Sequence, residues 1–189
     1  MISLKKASLK KRKETYEWLY YSDFSPFLNR LQGYSEKDIP TYSEFKKDYA
    51  DYFFNDTHPD KGRGFLIIHN TNYFEEEIGF ISYTTFHLKP GFAELDIWLK
   101  SLKYTGKEYG ISAINLLSDK LSKNGYHTFI MRPSKKNIVA INAYKKAGFN
   151  ESNLEAQHYY KKDFLEEYCQ GDYGPGQDIF LVKHSHPKE

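Results

Sequence analysis

The sequence predicts an α/β domain: one mixed, mostly antiparallel, twisted sheet of about six to seven strands with helices on both faces. Three observations predict it. Residues 92–99 alternate, with Ala93, Leu95, Ile97 and Leu99 on one face and Phe92, Glu94, Asp96 and Trp98 on the other. Residues 65–68, Phe-Leu-Ile-Ile, form a continuous apolar run, as a strand covered on both faces does. The element order, β-α-α-β-β-β-α-β-α-β-β, sets consecutive strands in the middle of the chain and strand–helix–strand units after them.

Each element has its own signal. Residues 2–7 read as a first strand and 15–21 as a helix with Tyr16, Trp18 and Leu19 as apolar members. Residues 25–40 read as a loop, with Gly33 and Pro40 as breakers. Tyr42, Phe45, Tyr49, Tyr52 and Phe53 recur at helical spacing, with Ser43 as a candidate cap. A turn-rich stretch, 55–64, leads to the apolar run, and Glu75-Glu76-Glu77 marks a hairpin edge before a strand over 78–86. After the Lys89-Pro90-Gly91 turn and the alternating strand, Ile111, Ile114, Leu117 and Leu121 stripe a helix over 107–123, which Asn124-Gly125 ends. Residues 128–131 form a short strand broken by Pro133. Ile138, Ile141 and Tyr144 lie on adjacent turns of a helix that Asn137 opens and Gly148 stops. Phe149 opens a strand, 163–169 form a helical insert, and Gly171, Gly174, Pro175 and Gly176 make a loop before a last strand at 178–183. The expected organisation is a single domain over 1–183 and a disordered polar tail over 184–189.

Composition narrows the function classes. A formal net charge of +2 on 189 residues gives no argument for nucleic acid, a bilayer surface or a strongly acidic partner. The basic stretches Lys5-Lys6 and Lys10-Lys11-Arg12-Lys13 read as a solvated face. The lone Cys169 excludes an intrachain disulfide and has no histidine at a nucleophile spacing. The start does not read as a signal peptide and no apolar run is long enough to span a bilayer, so a cytoplasmic location is expected. The histidines, His69 and His87 among them, read as structural, and no metal is expected. With 17 Tyr and 14 Phe, aromatic side chains must fill the core and also suit a cleft with apolar walls and a wet rim.

Two stretches carry chemistry. Thr105-Gly106-Lys107-Glu108-Tyr109-Gly110 is a glycine-bearing turn at the start of the helix containing Ile111, where free amides and the positive end of the helix dipole suit a phosphate. The second, Asn137-Ile138-Val139-Ala140-Ile141-Asn142-Ala143-Tyr144-Lys145-Lys146-Ala147-Gly148-Phe149, sets a small residue, Ala140, and a phenol, Tyr144, four apart on one helix face. Asn137 caps that helix or bonds a ligand.

This N-x-x-A-x-x-x-Y-x-x-x-G-F pattern resembles the last motif of the GNAT superfamily of acyl-CoA-dependent N-acetyltransferases. The resemblance covers roughly residues 77–149, and Arg132 to Tyr144 looks like the aminoglycoside 6′-type branch, which also includes enzymes acting on siderophore precursors. It implies acetyl-CoA as co-substrate, with its pyrophosphate on residues 105–110. The superfamily's Q/R-x-x-G-x-G/A loop is matched strictly only at Gly110; Thr105 and Glu108 depart from it. It further implies that Ala140 lets the pantetheine arm pass, that Tyr144 protonates the departing thiolate, and that backbone amides of Ile97, Trp98 and Leu99 meet the thioester oxygen. Glu94 and Asp96 share a face beside Trp98, and either carboxylate, or a water, can take the amine's proton. Arg132, where the branch often carries Asp, counts against a polycationic aminoglycoside. Asp163, Glu166, Glu167 and Asp172 count for a cation.

The expected function is acetyl transfer from acetyl-CoA to a primary amine of a small molecule, aminoglycoside-like or another polyamine, by direct attack, in a monomer or homodimer. The alternatives are a non-catalytic acyl-CoA-binding module on the same fold, and acetylation of a siderophore precursor or of a peptide or protein amine.

Overall fold

The computed structural model describes residues 1–28 and 35–185. Its strands are β1 (Ile2–Lys6), β2 (Gly62–Asn70), β3 (Glu75–Thr84), β4 (Phe92–Leu99), β5 (Thr128–Met131), β6 (Asn150–Ser152) and β7 (Phe180–His184). The helices are α1 (Arg12–Tyr21), α2 (Ser25–Leu28), α3 (Tyr42–Asp48), α4 (Tyr109–Ser122), α5 (Ile138–Lys146), α6 (Ala156–Tyr159) and α7 (Leu165–Tyr168). The seven strands form one sheet in the order β1-β2-β3-β4-β5-β7-β6. All neighbours pair antiparallel except β4 and β5. The predicted mixed, mostly antiparallel sheet is therefore the observed one.

Local chemistry moved several boundaries. Thr41, not Ser43, caps α3: its side chain accepts from the Glu44 amide while the Glu44 carboxylate accepts from the Thr41 amide. The expected loop over 25–40 contains α2 and a single 3₁₀ turn at Glu36–Asp38, and its residues 29–34, Gly33 among them, lie outside the described residues. The last strand runs through His184, which the sequence assigned to the tail; of that tail, residues 186–189 lie outside the described residues.

The alternation of β4 separates the two layers. Ala93, Leu95, Ile97 and Leu99 pack with Ala113, Ile114, Leu117 and Leu121 of α4 and Ile141 of α5. Trp98 packs on the opposite face with Trp18 of α1 and with Phe53, Phe54 and Phe80. A third cluster, Leu88, Ile130, Tyr159, Tyr160 and Val182, seats α6 and the following insert on that same face, over β5 and β7. Between α1 and α3 on one side and the insert on the other, the sheet face around Glu94 and Asp96 stays uncovered.

The aromatic surplus builds one wall of that opening. Phe45, Tyr49, Trp98 and Phe80 run ring to ring at centroid spacings of 4.7, 5.3 and 4.6 Å. The Trp98 indole N–H donates to the Thr15 carbonyl at 3.1 Å, bolting α1 to β4. Trp98 thus shares a strand face with Glu94 and Asp96 but lies under α1, 1% exposed. Trp98→Phe removes the indole bond to the Thr15 carbonyl and opens space, and should lower unfolding stability by about 2–3 kcal/mol, read as a shift in urea midpoint.

Candidate active site

The site starts where two strands part. β4 and β5 pair at Phe92↔Thr128, Ala93↔Phe129 and Glu94↔Ile130, and no further, although β4 continues to Leu99. From Leu95 on, one edge of β4 is open. The Lys100 amide donates to the Ile78 carbonyl at 2.9 Å, so even-numbered amides of this stretch face β3. The odd-numbered amides, Ile97 and Leu99, turn into the gap. Ile97 donates at 2.8 Å to Oδ1 of its neighbour Asp96. Of the three residues proposed from the sequence to meet a thioester oxygen, Trp98 therefore turns both its amide and its indole away from the gap.

On the α4 side of the sheet, the start of that helix faces the gap. Gly106 (φ 69°) and Glu108 (φ 61°) both adopt left-handed conformations. Ser112 makes the first helical bond, to the Glu108 carbonyl at 2.9 Å, and no side chain caps the turn. The amides of Tyr109, Gly110 and Ile111 precede the helical ladder and need an outside acceptor. Gly110 sits against β4: a Cβ there would lie 3.8 Å from the Ile97 side chain. Thr105 Oγ1 donates to the Leu102 carbonyl at 2.7 Å and holds the turn, while the Tyr109 ring stacks on His69 at 4.7 Å. Lys107 and Glu108 are exposed. The residues present fit a pyrophosphate by their amides and by the helix dipole. Asn137 caps α5, its Oδ1 accepting from the Ala140 amide at 3.1 Å.

On the opposite side of the sheet a cleft of about 910 Å³ opens over Glu94 and Asp96. Tyr144 of α5 enters it from the α4 layer, and Asn137 reaches its edge. Burial pushes the Tyr144 phenol far above its ordinary pKa, with the charge of Asp96 adding to the rise, so the phenol keeps its proton. Tyr49, just after α3, donates to Asp96 Oδ2. Glu94 Oε2 receives His87 Nε2 at 2.8 Å and the Tyr160 hydroxyl at 3.3 Å. His87 is 3% exposed and packs against the rings of Tyr160 and Tyr168, at 5.3 and 4.6 Å.

The cleft is acidic. Asp38, Asp48, Glu94, Asp96, Glu167 and Asp172 line it, against Lys47 and Arg132. Asp96 and Asp172 keep edges open to water but are ringed by protein. Withdrawal from bulk water raises the pKa of Asp96, with the Glu94 charge adding to it. The same withdrawal, then repulsion from Glu94 and Asp96, lifts Asp172 to about 6. Arg132 lies among them, yet its charge is met by Asp178 at 2.6 Å and the pair is buried. The Arg132 that the sequence set against a cationic ligand is thus already neutralised.

Sequence reasoning placed Glu94, Asp96 and Tyr144 at one cleft and the 105–111 turn at the same gap. It missed Tyr49, Tyr160 and the pairing of His87. Tyr49 and Tyr160 carry no local signal, because their hydroxyls reach the carboxylates only through the tertiary fold. Among the described residues no group of three or more His, Cys, Asp or Glu is placed to hold a metal, and no helix is long and apolar enough to cross a membrane.

A family model described as an acetyltransferase (GNAT) domain matches residues 6–150. The chain belongs to the GNAT acetyltransferase family. Solved structures of the same fold include a domain from Methanocaldococcus jannaschii DSM 2661, at TM-score 0.69 and 14% identity over 98% of this chain and 99% of that one. The aminoglycoside acetyltransferase AAC(6')-Ib in complex with coenzyme A follows at 0.68 and 17%, over 97% and 95%. Spermidine N-acetyltransferase from Vibrio cholerae, in complex with coenzyme A and spermine, superimposes at 0.61 and 16%, over 97% and 95%. At these identities the likeness shows the fold alone. No curated protein sequence matches the chain.

Two outcomes test the electrostatics of this GNAT domain. Glu108→Gly removes a left-handed non-glycine residue, which costs about 1–2 kcal/mol. It should raise the melting temperature and leave coenzyme A binding, measured by calorimetry, equal or tighter. Asp172 has a folded pKa above its unfolded one, so its contribution favours folding below about pH 4 and is lost as pH rises through about 6. Asp172→Asn should therefore stabilise the free protein at pH 7.5 and give little or no gain at pH 4, read from melting curves at both values.

Proposed function

We propose that this GNAT domain transfers an acetyl group from acetyl-CoA to a primary amine of a small molecule carrying more than one positive charge, such as a polyamine or an aminoglycoside-like compound. The observation that carries the reading is the gap between β4 and β5: free amides of α4 stand on one side of it, and a carboxylate-lined cleft containing Tyr144 on the other. Acetyl-CoA supplies the activated acyl group. The α4 amides hold its pyrophosphate, and the amides of Ile97 and Leu99 face the thioester.

Roles divide by environment. Asp96 has a raised pKa, borders the gap and is the better proton acceptor for the incoming ammonium. Glu94, with two donors on one oxygen, holds and orients the cation. The neutral amine nitrogen then bonds to the thioester carbon, the C–S bond breaks, Tyr144 gives its proton to the leaving sulfur, and the proton that the nitrogen sheds on becoming an amide returns through water to the Tyr144 phenolate. Holding both reactants at one gap supplies much of the rate, and no covalent enzyme intermediate is needed. A cytoplasmic setting suits a chain whose one cysteine, Cys169, is exposed and free.

The second reading, an acyl-CoA-binding module without turnover, draws on Glu108, a carboxylate beside the expected pyrophosphate. Thioester consumption across an amine panel separates the two: spermine, spermidine, kanamycin, a siderophore diamine precursor and a lysine peptide. Turnover favouring the polycations supports the first reading, and coenzyme A binding without turnover on any amine supports the second.

Given turnover, Tyr144→Phe should lower kcat by about 10²–10³ with coenzyme A affinity kept. Asp96→Asn should lose kcat most at low pH and recover in part as the free amine deprotonates unaided, whereas Glu94→Gln should chiefly raise KM at every pH. Wild-type pH–rate profiles in both carboxylate variants would remove them from the chemistry.

A further inference from the structure

The insert between β6 and β7 brings Glu167, Tyr168 and Asp172 to the cleft and the buried Tyr160 to Glu94, yet much of it is short helical turns and glycine-bearing loop. One side chain ties it down. Arg132, just past β5, donates through one terminal nitrogen to the Tyr160 hydroxyl at 2.8 Å and the Tyr168 carbonyl at 2.6 Å. Its other terminal nitrogen reaches the Cys169 carbonyl at 3.3 Å and Asp178 at 2.6 Å. The guanidinium plane lies over Phe180, 4.4 Å from the ring centroid. Gly171 packs so closely on this pair that a Cβ there would meet Asp178 at 2.2 Å and Arg132 at 2.6 Å.

The hydrogen-bond direction matters as much as the grip. A guanidinium donates and cannot accept. The Tyr160 oxygen must accept from Arg132, which leaves its own hydrogen to point to Glu94 Oε2. With His87 on the same oxygen, Glu94 is held by a fixed pair of donors.

We propose that Arg132 is a positioning residue that assembles the amine side of the cleft, orienting Glu94 through Tyr160 and fastening the 165–178 insert through its carbonyls and Asp178. The part concerning Glu94 rests on the cation-binding reading above; the part concerning the insert does not. Lysine, with a point charge in place of a planar fork, reproduces only some of these bonds.

Two measurements on the full chain test it. In calorimetry with spermine, Glu94→Gln and Tyr160→Phe should each weaken binding about tenfold, as loss of a charged hydrogen bond does. The double variant should be no weaker than Glu94→Gln alone, because Tyr160 acts through Glu94. Effects that multiply would overturn the coupling. In hydrogen exchange, Arg132→Met should raise exchange across 165–178 while 128–131 and 138–146 keep wild-type rates, and Arg132→Lys should restore protection in part. Unchanged exchange in 165–178, or an equal rise everywhere, would overturn the fastening role. If the wild-type protein binds no spermine, the cation-binding reading fails, and the exchange data alone decide whether Arg132 fastens the insert.

Discussion

The parting of β4 from β5 after Glu94↔Ile130 is the constraint on which the rest depends. A sheet interior ordinarily satisfies its amides strand to strand. Here two neighbours in the middle of the sheet stop pairing, and the layers above and below meet through the opening. α4 brings its unbonded first turn to one side of it. Glu94 and Asp96, on the other side, escape cover because α1 and α3 end short of them and the insert seats further along, on β5 and β7. Tyr144 packs with the α4 layer and also lines the cleft, which an open strand pair allows.

The charges follow from the same geometry. Six carboxylates line one cleft, and some of the repulsion among them is visible as the raised pKa values of Asp96 and Asp172. At Glu94 and Asp96 the protein relieves part of it with tyrosine hydroxyls and one histidine, while Lys47 lies near Asp48. Tyr49 meets Asp96, and Tyr160 and His87 meet Glu94. The tyrosine hydroxyls, being uncharged, leave the negative potential in place for a ligand, which ammonium partners would not. Arg132, which also lines the cleft, is engaged with Asp178 and with backbone carbonyls.

Much of this was legible in the sequence wherever local rules govern. The alternation of residues 92–99 gave the two faces of β4 and hence the joint placement of Glu94 and Asp96. The stripe in 107–123 and the glycine stop at Gly148 gave α4 and α5, because helix periodicity and caps are written in neighbouring residues. What alternation cannot say is which part of a face a distant helix will cover: Trp98 follows the same rule as Asp96 and is buried by α1. The cleft's donors were hidden for a related reason. Tyr49 belongs to the α3 aromatic stripe, and Tyr160 lies in an insert without clear periodicity; their roles arise from contacts 47 and 66 residues away in the chain. Arg132 was read from its type alone as opposing a cation, and only the spatial proximity of Asp178 reverses that.

The order of the sheet has a temporal side. β1 to β4 form a meander whose partners are neighbours in sequence, so they can pair as soon as they are made. β7, the last strand of the chain, lies between β5 and β6, and β6 has no other partner. On a ribosome the meander and α4 can be in place while residues 180–184 are still inside the exit tunnel. At that moment the α4 turn beside the gap exists and the insert wall of the cleft does not. Phe180, under the Arg132 guanidinium, is the residue whose arrival fastens the insert, so the acidic wall becomes a wall only after the meander and α4 have left the tunnel.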